Sequence, residues 1–366
     1  MPLFMDYHKI ENVTVEDVKK AHMADVVIQD TYGVRYLQFW VNQEGGSVFC
    51  LVEGPDAETC EKVHKMAHGN IACALTEVET GFYEKMMGTG HRVDDHGLVH
   101  QDNGLHDNGY RTILVVSVYG VTSATASNDL SMLLTPQWAR KLVREQIEVF
   151  SGRQLNWDTD DSIIGVFSDT TDTVLCALKI SEQLKQFEPR QPAIIFKMGL
   201  NCSQPVTEKG DFFKDAIKMA HRLSITVPDN QVLTSSLVKK LCKNEELYAG
   251  DVIKSLTEKD EKFLSDLIGV AEIQIADQQF DLTRLSSKVC VSRPQLYRKI
   301  TALTGRSPND FISDLRMQKA LTMLKQKNNN IAEIAFETGF NSPSYFTKCF
   351  TEKFGCPPSV FLKRVS

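Results

Sequence analysis

The chain has 366 residues, of which 42% are hydrophobic and 24% charged, and its formal net charge is -6. This composition is typical of a soluble globular protein and argues against a disordered chain, and the length predicts three domains. We expect a cytoplasmic protein with no membrane partner, because the chain has no run of about 18 apolar residues and no signal peptide, while nine cysteines without a CxxC pair argue against a disulfide framework or a zinc ribbon.

The first 79 residues predict a ferredoxin-like βαββαβ sandwich. Their apolar patterns and turn residues indicate, in chain order, a strand, a helix, two strands joined by the turn at Glu44–Gly46, a helix and a strand. The predicted bounds are Leu3–His8, Val15–Thr31, Val34–Val41, Ser47–Glu53, Ala57–His68 and Ala72–Val78.

Histidine is concentrated in the first part of the chain, since eight of the nine histidines precede residue 107. His64 and His68 are four residues apart in one predicted helix and therefore share a face. His8, His22 and Cys50 occupy neighbouring elements. Imidazole and thiolate groups suit nickel, zinc or copper better than magnesium or calcium, so these five residues are candidate metal ligands. The alternative is a set of solvated or hydrogen-bonded histidines.

The segments MPLFMDYHK, YGVRYLQFW and VFCLVEGPDAETCEKVHKMAHG resemble a small family of ferredoxin-like domains described as nickel-binding and often fused to cyclase-type domains. The resemblance implies a metal-sensing role for residues 1–79. The next segment, 80–110, contains the Gly-, Asp- and His-rich run HRVDDHGLVHQDNGLHDNG. That composition predicts a flexible linker whose histidines bind metal only opportunistically.

Residues 111–254 predict an α/β sandwich, because strand-like and helix-like segments alternate. The strands are RTILVVSVYGVT, the pair in QLNWDTDDSIIGVF, and AIIFKMGLN. Helices are expected near Thr135–Phe150 and near Val174–Phe187, and the last strand is followed by the segment GDFFKDAIKMAHRL. This order resembles the catalytic domain of class III adenylate and guanylate cyclases.

The cyclase resemblance comes with departures at the positions that carry the chemistry. Cyclases hold two magnesium ions with two Asp carboxylates, and here the first aligns with Ser117 and the second with Asp161. The purine-selecting Lys aligns with Trp157, and the family Asn aligns with Lys218, while Arg222 remains. We therefore expect no cyclase activity. The resemblance implies a homodimerising domain, with Asp161 and Arg222 as remnants of a site for a nucleotide or another small effector.

Residues 262–366 carry nine Lys and six Arg against nine Asp and Glu, a net charge of +6, so the rest of the chain carries -12. Such a basic module suits DNA phosphates. It also contains a repeat with a period of fifty residues, in which Ser292 falls on Ser342, Gly305 on Gly355 and Pro308 on Pro358. Leu282 and Leu285 likewise fall on Ala332 and Ala335.

Each copy of the repeat predicts two short helices joined by a tight turn, with a serine that caps the second helix and Gly339 in the second turn. Leu296 and Ile300 face inward in the first copy, as do Phe346 and Phe350 in the second. A helix from about Asn309 to Lys325 is expected to connect the copies. This is the pattern of a double helix-turn-helix, in which each second helix enters a major groove.

The run IAEIAFETGFNSPSYFTKCFTEKFGCPPSVFLKR resembles the second motif of AraC/XylS-family DNA-binding domains. With the outward positions of both predicted helices, the resemblance implies DNA contacts from Arg293, Pro294, Gln295, Arg298 and Lys299 in the first motif and from Ser342, Ser344, Tyr345, Thr347 and Lys348 in the second. Pro294 departs from the bulky or polar residue common in the family, which weakens direct base reading there.

The sequence therefore predicts a multi-domain α+β transcription regulator: a ferredoxin-like metal-sensing domain, a degenerate cyclase-like domain and an all-α double helix-turn-helix. Its expected partners are double-stranded DNA, a second copy of the chain and RNA polymerase. Two alternatives remain: a nucleotide cyclase with an attached DNA-binding domain, which Ser117 argues against, and a metal-buffering protein.

Overall fold

The computed structural model describes residues 1–90, 92–101, 103–120, 137–156, 162–186, 194–207, 210–326, 330–354 and 356–365. The predicted mixture of helix and strand is confirmed, with a four-stranded sheet, a six-stranded sheet and a helical C-terminal region. All nine cysteines are free thiols.

The N-terminal domain has the predicted βαββαβ order. Its antiparallel strands pair in the order β2-β3-β1-β4, which is the ferredoxin-like arrangement. Both helices begin at a side chain that accepts a backbone N–H: Thr14 caps the first helix and Asp56 the second. The elements are β1 (Leu3–Lys9), α1 (Val15–Ile28), β2 (Arg35–Asn42), β3 (Ser47–Glu53), α2 (Ala57–Ala67) and β4 (Ala74–Glu77).

The prediction of a flexible linker over 80–110 is wrong. The segment forms α3 (Thr80–Met87), β5 (Arg92–Val93) and β6 (Val99–His100), and it buries Met86, Met87, Leu98 and Val99 completely. It ends at a buried ion pair of 2.8 Å between Asp107 and Arg111. Several of its glycines, among them Gly97 and Gly104, adopt a positive φ in tight turns, while its few apolar residues reach the core.

The middle domain is built on a six-stranded sheet with the order β12-β11-β10-β7-β9-β8. Its elements are β7 (Arg111–Gly120), α4 (Gln137–Val149), β8 (Arg153–Leu155), β9 (Ser162–Phe167), α5 (Thr170–Gln186), β10 (Ile194–Ser203), α6 (Lys214–Thr226), β11 (Gln231–Thr234), α7 (Ser236–Leu241) and β12 (Ile253–Ser255). The predicted strands and helices are each present within a few residues.

The central strand β7 is buried on both faces. Because side chains alternate along a strand, Leu114 and Val116 pack with α4 and α5, while Ile113 and Val115 join a core shared with the N-terminal sheet. The N-terminal domain therefore packs one face of its sheet on the middle domain and covers the other face with its own helices.

The C-terminal region consists of α8 (Glu258–Gln274), α9 (Leu282–Lys288), α10 (Arg293–Thr304), α11 (Pro308–Gln326), α12 (Ile331–Glu337), α13 (Pro343–Phe354) and α14 (Pro358–Val365). The period of fifty holds for α10 and α13 and for the starts of α11 and α14. The first helices, α9 and α12, are offset by 49, since the second turn contains one more residue. Cys290 and Gly339 occupy equivalent left-handed positions in the two turns, with φ of 54° and 82°.

Helix α8, which the sequence analysis did not predict, joins the middle domain to the first motif. Leu264 and Leu267 of α8 lie in one core with Leu223 of α6 and with Ile300 of α10. The second motif has a separate core that includes Leu324, Phe346, Phe350 and Phe361. The first motif is therefore built onto the body of the protein, whereas α11 carries the second.

Polar contacts attach the second motif and α11 to the rest of the molecule. The Arg316 guanidinium of α11 donates to the carbonyl oxygens of Ile275 (3.4 Å), Asp277 (3.2 Å) and Phe280 (3.3 Å). A Cβ atom at Gly339 would lie 2.2 Å from the Ile275 carbonyl oxygen. The second turn therefore requires glycine for this close approach, and its left-handed backbone conformation also favours glycine.

Candidate nucleic-acid interface and buried histidine cluster

The first recognition helix, α10, begins with a capping box. The Ser292 hydroxyl accepts the Gln295 N–H at 3.4 Å, and the Gln295 side-chain oxygen accepts the Ser292 N–H at 3.1 Å. Arg293, Pro294 and Arg298 are exposed, with Arg293 donating to the Thr283 hydroxyl. Gln295 therefore stabilises the start of the helix, and its carbonyl oxygen already has partners before any base is contacted.

Two residues of α10 differ from the sequence-based expectation. The Lys299 ammonium lies 4.4 Å from the centre of the Phe263 ring of α8, so Lys299 packs on the protein body. Tyr297, absent from the predicted contacts, is 54% exposed. It lines a shallow depression of about 470 Å³ with Leu282, Pro294 and the two arginines, Arg293 and Arg298, among others. The sequence signal for Tyr297 was its position one helical turn after Pro294, which places both residues on the same face of α10.

The second recognition helix, α13, presents hydroxyl groups and one lysine on its outward face. Ser342 caps it by accepting the Tyr345 N–H at 3.2 Å. Ser344, Tyr345 and Lys348 are exposed and Thr347 is half-buried, while the Lys348 ammonium lies 3.9 Å from Glu352. All the residues predicted here lie on or at the start of one helix, with Phe346 and Phe350 buried behind them.

In the N-terminal domain, buried histidines and carboxylates meet between β1 and the two helices. His64 of α2 lies between two carboxylates: its Nε2 is 2.7 Å from Asp6 Oδ2, and its Nδ1 is 3.1 Å from Asp25 Oδ2. His68 Nε2 is 3.2 Å from the same Asp25 oxygen, and His8 Nε2 is 3.5 Å from Asp6. Two groups of three potential ligands result, Asp6–His8–His64 and Asp25–His64–His68.

The two carboxylates govern the electrostatics of this cluster. Burial disfavours the charged form of His64, but hydrogen bonds and charge interactions with Asp25 and Asp6 outweigh it and raise the pKa of His64 to about 10. Although burial opposes ionisation of Asp6, its interactions with His8 and His64 hold the pKa of that carboxyl below its ordinary value. In the absence of another cation, a protonated His64 therefore compensates the buried carboxylates.

Of the five predicted metal ligands, His8, His64 and His68 belong to these two groups, whereas His22 and Cys50 belong to neither. His22 is buried, with the centre of its ring 5.0 Å from the centre of the Phe39 ring, and burial lowers the pKa of His22. Cys50 donates its backbone N–H to Asp6 Oδ1 at 2.6 Å, and burial raises the pKa of its thiol well above the ordinary value, which disfavours a thiolate.

The sequence-based prediction of metal ligands did not include Asp6 and Asp25, because it rested on imidazole and thiolate groups alone. The available signals were the Asp6-x-His8 pair on one strand, whose side chains share a face, and Asp25, three residues after His22 on α1.

In the middle domain, the position that the cyclase resemblance assigns to the first metal carboxylate holds the neutral residue Ser117. Ser117 is buried, and its hydroxyl lies 3.0 Å from the Ser162 hydroxyl on the neighbouring strand. The Arg222 guanidinium pairs with Glu272 of α8 at 2.7 Å and donates to Ser265 at 3.2 Å. Arg222 therefore ties α6 to α8 in this structure. Asp161 and Trp157 lie outside the described residues.

Two family models match the chain. Residues 4–78 match the family of nickel responsive proteins that are SCO4226-like, and residues 285–364 match a helix-turn-helix domain. The resemblances of the two ends of the chain are thereby confirmed. None of the helices within the described ranges is both long and apolar enough to cross a membrane.

Among curated proteins, the chain is 39% identical over 107 residues to histidine kinase P4 of Formosa agariphila, covering 29% of this chain and 8% of that protein. It is 29% identical over 126 residues to the HTH-type transcriptional regulator GbdR of Pseudomonas aeruginosa, covering 34% of each. The chain thus spans about a third or less of these relatives. Several further matches are also named as HTH-type transcription regulators.

Among solved structures, SCO4226 from Streptomyces coelicolor A3(2) is 35% identical and covers 21% of this chain and 94% of that chain, with a TM-score of 0.20. An adenylate/guanylate cyclase/hydrolase from Silicibacter pomeroyi is 24% identical and covers 36% and 78% of the two chains, with a TM-score of 0.30. A similarity of this size supports no conclusion about catalytic activity.

Proposed function

We propose that the protein is a sequence-specific, DNA-binding transcription regulator. One observation carries this proposal: two capped helices, α10 and α13, follow the two helix-turn-helix turns and are joined by α11. They present Arg298 and Lys348 outward from a region of net charge +6. Such helices address successive major grooves of double-stranded DNA. RNA polymerase is the expected downstream partner, in the cytoplasm.

The test is selection of bound duplexes from a randomised pool by the full-length protein, followed by fluorescence titration of the enriched sequence at several salt concentrations. We expect an affinity at least about 10³-fold above that for unrelated duplexes. Equal binding of all duplexes at every salt concentration would contradict the proposal. Incubation with ATP or GTP and Mn²⁺ tests the cyclase alternative; because Ser117 replaces a carboxylate, we expect no cyclic nucleotide.

We further propose that the N-terminal domain binds nickel or another transition metal and controls DNA binding. The donor set supports this, since buried imidazoles and carboxylates at Asp6, Asp25 and His64 form a compact group of ligand types suited to such ions. A bound ion would supply positive charge that balances the two buried carboxylates, and the chain's own residues would orient His64.

In this proposal the cyclase-like domain forms the homodimer. A remnant nucleotide site, to which the cyclase resemblance assigns Asp161 and Arg222, is a second place for a small effector, and Arg222 would have to leave Glu272 and Ser265 to reach it. Dimerisation would set the spacing of the two DNA-binding regions. Mass measurement of the native full-length protein tests the dimer and shows any bound metal or nucleotide, and a monomer at working concentration would contradict that part.

A further inference from the structure

We infer that Asp25, His64 and His68 are the metal ligands of the N-terminal domain, and that Asp6 holds His64 from outside the coordination sphere. The inference rests on the proposed metal binding and names its site. It separates two groups of potential ligands that share His64.

The geometry of Asp25, His64 and His68 is that of one face of a coordination polyhedron. The three ligand atoms, Asp25 Oδ2, His64 Nδ1 and His68 Nε2, are separated by 3.1, 3.2 and 3.2 Å. Metal bonds of about 2.1 Å place neighbouring ligand atoms about 3.0 Å apart in an octahedron and about 3.4 Å apart in a tetrahedron. The observed triangle lies between these values, so a transition metal fits with little movement.

The charge of the region favours a single divalent cation. Asp6 and Asp25 are both buried, and their two negative charges equal the charge of one such ion when His64 is neutral. Moreover, Asp25 Oδ1 is buried with no hydrogen-bond partner among the residues that the structure describes. A buried carboxylate oxygen without a partner is energetically unfavourable, and a cation bound to the same carboxylate would reduce that penalty.

Asp6 is placed to support His64 rather than to bind the ion. The distance of 2.7 Å between His64 Nε2 and Asp6 Oδ2 is that of a strong hydrogen bond and is shorter than a ligand–ligand edge. Metal-bound histidines commonly donate their other N–H to a carboxylate, which fixes the tautomer. Asp6 is itself fixed by the Cys50 N–H. A proton on Nε2 leaves the Nδ1 lone pair directed toward Asp25 and His68.

Access also distinguishes the two groups. His68 is the residue after α2, and its side chain is 15% exposed, whereas those of Asp25 and His64 are 2% exposed. An ion can therefore enter beside His68, and water can complete its coordination there. In the other group, the side chains of Asp6, His8 and His64 are 0%, 7% and 2% exposed, so that group is closed.

The inference is tested by titrating the full-length protein with Ni²⁺ and with Co²⁺ against a competing chelator, with the Co²⁺ absorption spectrum reporting the ligand set. The deciding variant is His68→Gln, because His68 lies at the rim and its replacement leaves the core intact. Asp25→Asn and Asp6→Asn complete the series. The controls are His8→Gln, in the other group, and His100→Gln, a histidine near Asp94 outside both groups.

We expect one ion per chain in the wild type. Asp6→Asn should weaken binding by roughly 10- to 100-fold, as expected for an outer partner, and His68→Gln and Asp25→Asn should weaken it further and change the Co²⁺ spectrum. His100→Gln should have no effect. Loss of binding in His8→Gln with retention in His68→Gln would overturn the assignment, as would unchanged binding in every variant. A wild type that binds neither ion would instead refute the proposed metal binding itself.

Discussion

The two helix-turn-helix motifs have the same elements but different attachments. The first shares a core with the middle domain through α8, with Leu267 and Ile300 both fully buried in it. The second has its own core around Phe346 and Phe350. A repeated unit can thus be rigidly anchored in one copy and carried on a connecting helix in the other. The first motif is therefore expected to unfold with the body, and the second to open more readily.

The largest expected effect comes from removing buried side chains in the two cores. Ile300→Ala should cost about 2–5 kcal/mol and lower the stability of the first motif and middle domain together, whereas Phe350→Ala should cost about 3–5 kcal/mol in the second motif alone. Hydrogen exchange measured along the chain checks this. Increased exchange confined to the first motif in Ile300→Ala would contradict a shared core.

A smaller effect is expected from Arg316→Ala, which leaves the carbonyl groups of Ile275, Asp277 and Phe280 without this donor. The cost should be about 1–3 kcal/mol, and affinity for the selected duplex should fall as α11 loosens. Lys319→Ala is the matched control, since it removes one bond to the Glu337 carbonyl. Equal losses in both variants, measured by chemical denaturation, would show that Arg316 has no special role.

Removing the cap of the first recognition helix should cost about 1 kcal/mol. Ser292→Ala takes away the acceptor of the Gln295 N–H, so α10 should fray at the end that approaches DNA. Ser292→Asp restores an acceptor and serves as the control for stability. Thermal unfolding of both variants measures the difference, and an unchanged midpoint for Ser292→Ala would argue against the capping box.

The smallest effects on stability are expected from substitutions of Lys299 and Lys348, which distinguish a lysine that packs on the protein from one that contacts DNA. Lys299→Ala should cost about 0.5–1 kcal/mol through its contact with Phe263 and leave the salt dependence of DNA binding nearly unchanged. Lys348→Ala should reduce the slope of log affinity against log salt by about 1. Lys141→Ala, a change at an exposed lysine of α4, is the control. The reverse pattern would place Lys299 against phosphate.

Local patterns predicted most of the secondary structure, because capping residues and apolar periodicity act over a few residues. Ser292 and Ser342 therefore located both recognition helices. Contacts between distant segments were not readable in the same way. The position of Lys299 depends on Phe263 in α8, and the histidine cluster depends on Asp6 and Asp25 from separate elements. The buried apolar residues of 80–110 were hidden by a turn-rich composition.

Helix α8 has a consequence for how this chain can be divided. Its apolar side chains, among them Phe263, Leu264 and Leu267, pack against both the middle domain and the first helix-turn-helix motif. A C-terminal fragment that lacks α8 would expose the buried face of α10. An N-terminal fragment that lacks α8 would expose the face of α6 that packs on it. The DNA-binding region therefore cannot be transferred to another sensor domain by itself. A fusion would have to include α8, and the new domain would have to cover the apolar face of that helix.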